Sequence, residues 1–246
     1  MIQVRGLSKD YAGGVRALDD VSLDVEPGQF VALIGPSGAG KSSLLRCLNG
    51  FVTPTAGRVT VDGAAVTGAG REELRRIRAR IGFVFQQFNL LHRLSVLGQR
   101  ARRTARACVR VELRSRVVRR LRRRAGARRA SPRRARGPRR SAGGHAVGGQ
   151  QQRVAIARAL VQEPRTILAD EPMSSLDPAL AESVMELLRE INQQDGITVI
   201  TSLHVLELAK AYGRRVIALR GGRIVHDGPP ESLDAGASER IFGRAQ

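Results

Sequence analysis

Hydrophobic positions in this 246-residue chain switch between two spacings along most of its length. Met1–Leu7 and Val21–Val25 alternate apolar with polar, as strands of a half-exposed sheet do, and Ala12-Gly13-Gly14 forms a turn between them. Phe30-Val31-Ala32-Leu33-Ile34 is apolar throughout and reads as a buried strand, and Leu44-Leu45-Arg46-Cys47-Leu48 reads as the first turns of a helix. Pro54-Thr55-Ala56-Gly57 breaks the chain, Arg58–Val61 makes a short strand that turns at Asp62-Gly63, and Glu72–Arg80 is a charged helical stretch. Ile81-Gly82-Phe83-Val84-Phe85 returns as a strand that ends in Gln86-Gln87. Further on, Gln151–Val161 has helical spacing, with Val154, Ile156, Ala157 and Leu160 apolar. Thr166–Ala169 is an apolar strand that runs into Asp170-Glu171-Pro172. Leu180–Ile191 is an amphipathic helix, Ile197–Thr201 a strand, and the next helix begins at His204. Val216–Leu219 and Arg223–Val225, joined by Gly221-Gly222, make a hairpin. The alternation of strands and helices predicts an α/β fold with a mixed sheet and an antiparallel β element near the N-terminus.

The pattern fails between Gly98 and Val147, and composition shows why. The chain carries a net charge of +20, yet Gly98–His145 alone holds 19 arginines and one acid, Glu112, so the remainder carries about +2. Ala125–Arg140 has almost nothing to bury and contains Pro132 and Pro138, so it does not read as a folded helical part. The chain therefore divides into residues 1–97, an Arg-rich segment at 98–147, and residues 148–246. Cys47 and Cys108 make neither a disulfide framework nor a metal site, which favours a reducing compartment, and Cys47 reads as a small core residue. Met1-Ile2-Gln3-Val4 reads as a strand rather than a leader, and no 18-residue apolar run exists, so a soluble protein that meets a membrane only through a partner is expected.

Chemistry concentrates at three places. Gly35-Pro36-Ser37-Gly38-Ala39-Gly40-Lys41-Ser42-Ser43 joins the buried strand to the helix and fits the G-x-x-x-x-G-K-[ST] spacing of a phosphate loop. Gly35, Gly38 and Gly40 let the backbone turn so that N–H groups face phosphate oxygens. Lys41 brings a charge, Ser42 a ligand for Mg²⁺, and the helix start adds its positive dipole end. Asp170 and Glu171 close a strand downstream, where one carboxylate can hold a metal and the other activate water. Tyr11 is equally readable as a platform for adenine or as a packing residue. Gln86 at a strand end can ligate Mg²⁺ or orient a water, and His204 at another strand end can contact a γ-phosphate; either can also be ordinary surface polarity.

With these stations in place, the chain resembles the ATP-binding subunits of ABC transporters. The resemblance is carried by Tyr11, Gly35–Ser43, Gln86, Gly148-Gly149-Gln150-Gln151-Gln152-Arg153, Leu168–Glu171, Ser175-Leu176-Asp177 and His204, and covers about four-fifths of the chain. Within that family, Leu45-Arg46-Cys47-Leu48-Asn49-Gly50, Gln86-Gln87-Phe88-Asn89-Leu90 and Ser202-Leu203-His204 are most similar to phosphonate importers, with other anion or amino-acid importers as the alternative. The resemblance implies a P-loop NTPase core, ATP and Mg²⁺ as cofactors, and a head-to-tail homodimer on the cytoplasmic face of the membrane. It also implies an integral membrane permease as partner, fed by an extracytoplasmic substrate-binding protein. It further implies that Tyr11 stacks adenine, Asp170 binds the metal, Glu171 polarises the attacking water, His204 contacts the γ-phosphate and Gln86 couples the site to the permease. Gly148, Gly149, Gln150 and Asp177 would act across the dimer.

One departure stands out. The family signature reads Leu-Ser-Gly-Gly-Gln, whereas Ala146 and Val147 precede Gly148 here, so the serine hydroxyl expected to reach the opposing γ-phosphate is missing. Back-translation with permitted codons gives a reason. Read one base later, Gln99–Ala107 permits Asn-Val-Leu-Ala-Gly-Arg-Leu-Ala, Arg133–Pro138 permits Val-Gly-Leu-Ala-Asp-Arg, and Ala142–Val147 permits Arg-Ala-Asp-Thr-Leu-Ser directly ahead of Gly148. Three family-like words in one shifted frame imply that residues near 98–147 are a frameshifted translation, in which case the chain as written is an inactive product. The face-value alternative is an Arg-rich arm that binds nucleic acid through phosphates. It lacks the interleaved aromatics that stack on bases, so no specific nucleic-acid partner is expected.

Overall fold

In the computed structural model, which describes residues 1–85, 155–174, 176–234 and 236–243, the alternating N-terminal stretches form β1 (Ile2–Tyr11) and β2 (Val15–Val25). Both run past the expected bounds to the glycine turn. Antiparallel pairing carries them there, with Asp10 opposite Arg16 and Tyr11 opposite Val15, and the Arg16 guanidinium donates to Asp10 at 2.9 Å. β3 (Phe30–Ile34), α1 (Lys41–Leu48), β4 (Ala56–Val61), β5 (Ala64–Ala65), α2 (Arg71–Ala79) and β6 (Ile81–Val84) follow. Residues 155–160 are helical and are denoted α3. The remaining elements are β7 (Thr166–Ala169), α4 (Pro178–Asp195), β8 (Thr198–Leu203), α5 (Leu206–Tyr212), β9 (Arg215–Arg220), β10 (Arg223–Gly228) and α6 (Ala237–Phe242).

These strands make two sheets. The smaller, in the order β2-β1-β4-β5, is antiparallel. The larger, β10-β9-β3-β8-β7-β6, is parallel from β9 to β6 and carries β10 as an antiparallel edge, so it is mixed as expected. All five residues of β3 are buried because both faces of the sheet are covered. On one side Val31, Leu33, Leu168, Ile200 and Leu219 pack in a core shared with Leu44, Leu45 and Leu48 of α1 and with Val4 and Val25 of the small sheet. On the other, Phe30, Ala32, Ile167 and Val199 share a core with Ile156, Val184, Met185 and Leu188. Cys47 is a free thiol buried in the first core, and burial pushes its pKa up to about 11. Cys108 and the 98–147 segment lie outside the described residues.

Local signals set the helix ends that frame the site. Asp177 caps α4, its carboxylate accepting the Leu180 N–H at 3.0 Å ahead of Pro178, and Gly196 ends the helix in the left-handed region. His204 does not begin a helix: Val205 is extended, α5 starts at Leu206, and the imidazole sits in the connection after β8. In register, Ile34 aligns with Leu203 and Ala218, and Val84 with Ala169, which aligns with Thr201. The residues that follow β3, β7 and β8 therefore leave the sheet at one edge, the carboxyl ends of its parallel strands, where ligands bind in open α/β sheets.

Candidate functional site

β3 hands the chain to the loop at Gly35, and the loop is pressed between two other segments. At Gly35 (φ +144°) a Cβ would stand 2.1 Å from the carbonyl oxygen of Leu219 at the end of β9. At Gly40 (φ +103°) it would stand 2.3 Å from the carbonyl oxygen of Ala17 in β2. Only glycine fits at either position. No side chain caps the start of α1, so the amides of its first turn are open to an anion. Lys41 is buried, and its ammonium donates to the carbonyls of Gly35 at 2.6 Å and Pro36 at 2.9 Å. Burial lowers its pKa below the ordinary lysine value, while the nearby carboxylates of Glu171 and Asp170 oppose that shift.

Asp170 follows β7 directly and is buried. Its Oδ1 accepts from the Ser42 hydroxyl at 2.7 Å and from the Ser202 hydroxyl at 3.1 Å, and Arg46 lies 3.8 Å from Oδ2. Glu171 adopts a left-handed backbone (φ +46°), rare for a residue with a side chain. Its N–H donates to Ser202 Oγ at 2.8 Å, and its carboxylate meets His204 Nε2 at 2.5 Å. Tyr11 is exposed at the end of β1, with its hydroxyl 3.2 Å from Ser43 Oγ in the first turn of α1 and the Lys9 ammonium 5.1 Å from its ring centre.

The fold thus brings Tyr11, Lys41, Ser42, Ser43, Asp170, Glu171 and His204 to one edge from four separate strand ends. Asp177 serves its own helix as a cap and is exposed. Gln86, Gly148, Gly149, Gln150 and Ser175 lie outside the described residues. Two participants, Ser202 and Arg46, were given no site role by the sequence and entered only as parts of the importer-like words. The Ser202 hydroxyl bridges Asp170 to the Glu171 amide. For Arg46 the one available signal was its place one helical turn after Ser42.

A divalent cation fits this donor set. The Ser42 hydroxyl and Asp170 carboxylate are hard oxygen donors 2.7 Å apart beside the open amides, and among the described residues no three His, Cys, Asp or Glu side chains cluster to cage a metal. A metal there would take two protein oxygens and complete its shell with phosphate and water, the habit of Mg²⁺. Lys41 and the α1 amides fit a polyphosphate.

Comparison with known proteins agrees with this geometry. The profile of the ABC transporter family matches residues 18–174. The phosphonates import ATP-binding protein PhnC of Thiobacillus denitrificans is 43% identical over 251 residues, covering 99% of this chain and 93% of that protein. Among solved structures, the ATP-binding cassette MJ0796, in a dimeric post-hydrolysis state with ADP and Pi, superposes with a TM-score of 0.78 at 34% identity, covering 94% of this chain and 99% of that one. CbiO1 of Clostridium perfringens, part of the transporter complex CbiONQ, superposes with a TM-score of 0.80 at 29% identity, covering 97% and 92%.

Proposed function

The chain belongs to the ABC transporter family, and on that premise we propose that it is the ATP-hydrolysing subunit of an importer whose cargo is a phosphonate. The observation that carries the nucleotide reading is the meeting of Lys41 and Ser42 with Asp170, Glu171 and His204 at one sheet edge. The cargo is proposed from the name of the PhnC relative.

In this reading Tyr11 offers its ring to adenine, and the amides after Gly38 hold the phosphates. Lys41 leaves the Gly35 and Pro36 carbonyls to meet them. Ser42 and Asp170, with Gln86, would hold Mg²⁺, which would supply charge neutralisation for the phosphates. Glu171, aimed by the left-handed turn and by His204, takes the proton of the attacking water. Gly148, Gly149, Gln150 and Asp177 serve the opposing subunit of a homodimer. Among the described residues no helix is long and apolar enough to cross a membrane. As the ATP-binding subunit of an importer, the chain would work on the cytoplasmic face against a separate permease that a substrate-binding protein feeds, a reading supported by the name of the PhnC relative. Exposed Phe51, edge-on to Phe83 and stacked on Phe85 with the Arg78 guanidinium over its ring, is an apolar surface suited to that contact.

The Arg-rich 98–147 segment replaces the helical subdomain of the family and removes the signature leucine and serine, so the chain as written binds nucleotide without cooperative turnover. Two measurements test the whole reading. Equilibrium binding of ATP with and without Mg²⁺ should show magnesium-dependent affinity. With the middle segment restored to the family's frame, cells expressing the chain with its co-purifying permease should take up a labelled alkylphosphonate that sulfate and amino acids do not displace. Displacement by an amino acid would reassign the cargo.

A further inference from the structure

The hairpin that closes the large sheet has no part in the chemistry above, yet its turn rests on the phosphate loop. Gly222, between β9 and β10, donates its N–H to the carbonyl of Ala39 at 3.2 Å, and its own carbonyl accepts the Asp19 N–H at 3.0 Å. The next residue, Arg223, pairs with the Asp19 carboxylate at 2.6 Å. The contact is as close as backbones allow. A Cβ on Gly222 (φ +80°) would stand 3.0 Å from the Ala17 carbonyl oxygen and 3.2 Å from the Leu18 Cα. The same two segments, β2 at Ala17 and the β9 end at Leu219, are the ones that exclude a side chain from Gly40 and Gly35.

In a planar trans peptide the carbonyl and the following N–H point opposite ways. A bond that holds the Ala39 carbonyl toward the hairpin therefore turns the Gly40 N–H away from it. Ala39 is itself buried, so water cannot substitute for this partner without opening the packing. We propose that Gly222 is a positioning residue for nucleotide binding: the C-terminal hairpin turn fixes the Ala39–Gly40 peptide, and with it one amide of the phosphate loop. The inference rests on the ATP reading above. It also ties the chain's end to the site, because Arg220, two residues before Gly222, donates to the Arg240 carbonyl of α6 at 2.7 Å.

The turn supplies its own control. Gly221 is also left-handed (φ +56°), but its Cβ position is open space. Gly221→Ala and Gly222→Ala therefore both place a side chain on a left-handed backbone, and only Gly222→Ala also crowds β2 at Ala17 and Leu18, which strains the neighbouring bond to Ala39. Affinity is read with mant-ATP and Mg²⁺ on the full chain, alongside the nucleotide-free melting temperature. Gly222→Ala should raise Kd about tenfold, and Gly221→Ala should leave it within about twofold. A merely structural role would lower both melting temperatures alike and leave Kd of the folded fraction unchanged, which overturns the inference. Should Gly222→Ala not fold, Arg223→Ala carries the test through an exposed side chain. A two- to threefold weaker affinity, about the worth of one surface ion pair, supports the inference, and an unchanged affinity overturns it. Absence of mant-ATP binding by the wild-type chain overturns the nucleotide reading and this inference together, whereas normal wild-type binding with an indifferent Gly222→Ala overturns this inference alone.

Discussion

Two carboxylates adjacent in sequence have been given different surroundings, and the roles proposed for them diverge accordingly. Asp170 is enclosed by the Ser42 and Ser202 hydroxyls, whereas Glu171 is turned out by its left-handed backbone to meet His204. Glu171→Gln should therefore lower phosphate release by about 10²–10⁴ in the frame-restored chain while leaving ATP affinity intact, read by phosphate assay and equilibrium binding. Lys41 makes a pH-dependent prediction with two opposite signs. Its folded pKa is depressed by burial below the ordinary 10.5, so between the two values the unfolded chain binds more protons and stability rises with pH. Over the same window Lys41 loses its charge, so ATP affinity should fall. Urea titrations and binding isotherms from pH 7 to pH 10.5 check both, and Lys41→Met should flatten both trends.

Among the elements, α4 shows how a helix far from the chemistry fixes the sheet that carries it. Near its C-terminus the buried Asn192 amide donates to the carbonyl of Gly28, ahead of β3, and to that of Ile197, ahead of β8, each at 2.8 Å. One side chain thereby locks the start of the strand that leads to the phosphate loop to the start of the strand that leads to His204. Asn192→Ala would leave both carbonyls without this donor, and should cost about 2 kcal/mol in urea unfolding with little change in the m-value. β10 is the complementary case. Its Arg215–Asp227 pairing with β9 and the Arg215 guanidinium on the Asp24 carbonyl, at 2.6 Å, tie the edge hairpin to β2 of the small sheet. That linkage joins β9 to β2, the two strands whose opposite ends, at Leu219 and Ala17, wall the phosphate loop.

For the whole molecule the question is whether the two halves of the proposed site can meet across the proposed homodimer. The described residues supply the phosphate-loop half, and the signature half falls where the sequence leaves the family's pattern. Sequencing the gene across codons 95–150 should return codons compatible with Asn-Val-Leu-Ala-Gly-Arg-Leu-Ala and with Leu-Ser ahead of Gly148 in the shifted frame. Incompatible codons would leave the Arg-rich segment at face value. The frame-restored Glu171→Gln chain should dimerise with ATP in size-exclusion chromatography, and the chain as written should remain monomeric under the same conditions.

From the sequence alone came the glycine loop, the acidic pair after an apolar strand and the histidine after another, because each depends on spacing within a few residues. Strand lengths at the N-terminus and the start of α5 were misjudged, because antiparallel pairing and the extended Val205 set them rather than hydrophobic period. The family resemblance implied that these residues share one nucleotide; what the tertiary structure alone decided is how they are held adjacent. Parallel register brings the ends of β3, β7 and β8 to one edge, and the close approach of Ala17, Leu219 and Gly222 shapes the loop. Neither was legible in the chain, because both arise between backbones distant in sequence, where hydrogen-bond direction and steric exclusion leave no local pattern of residues.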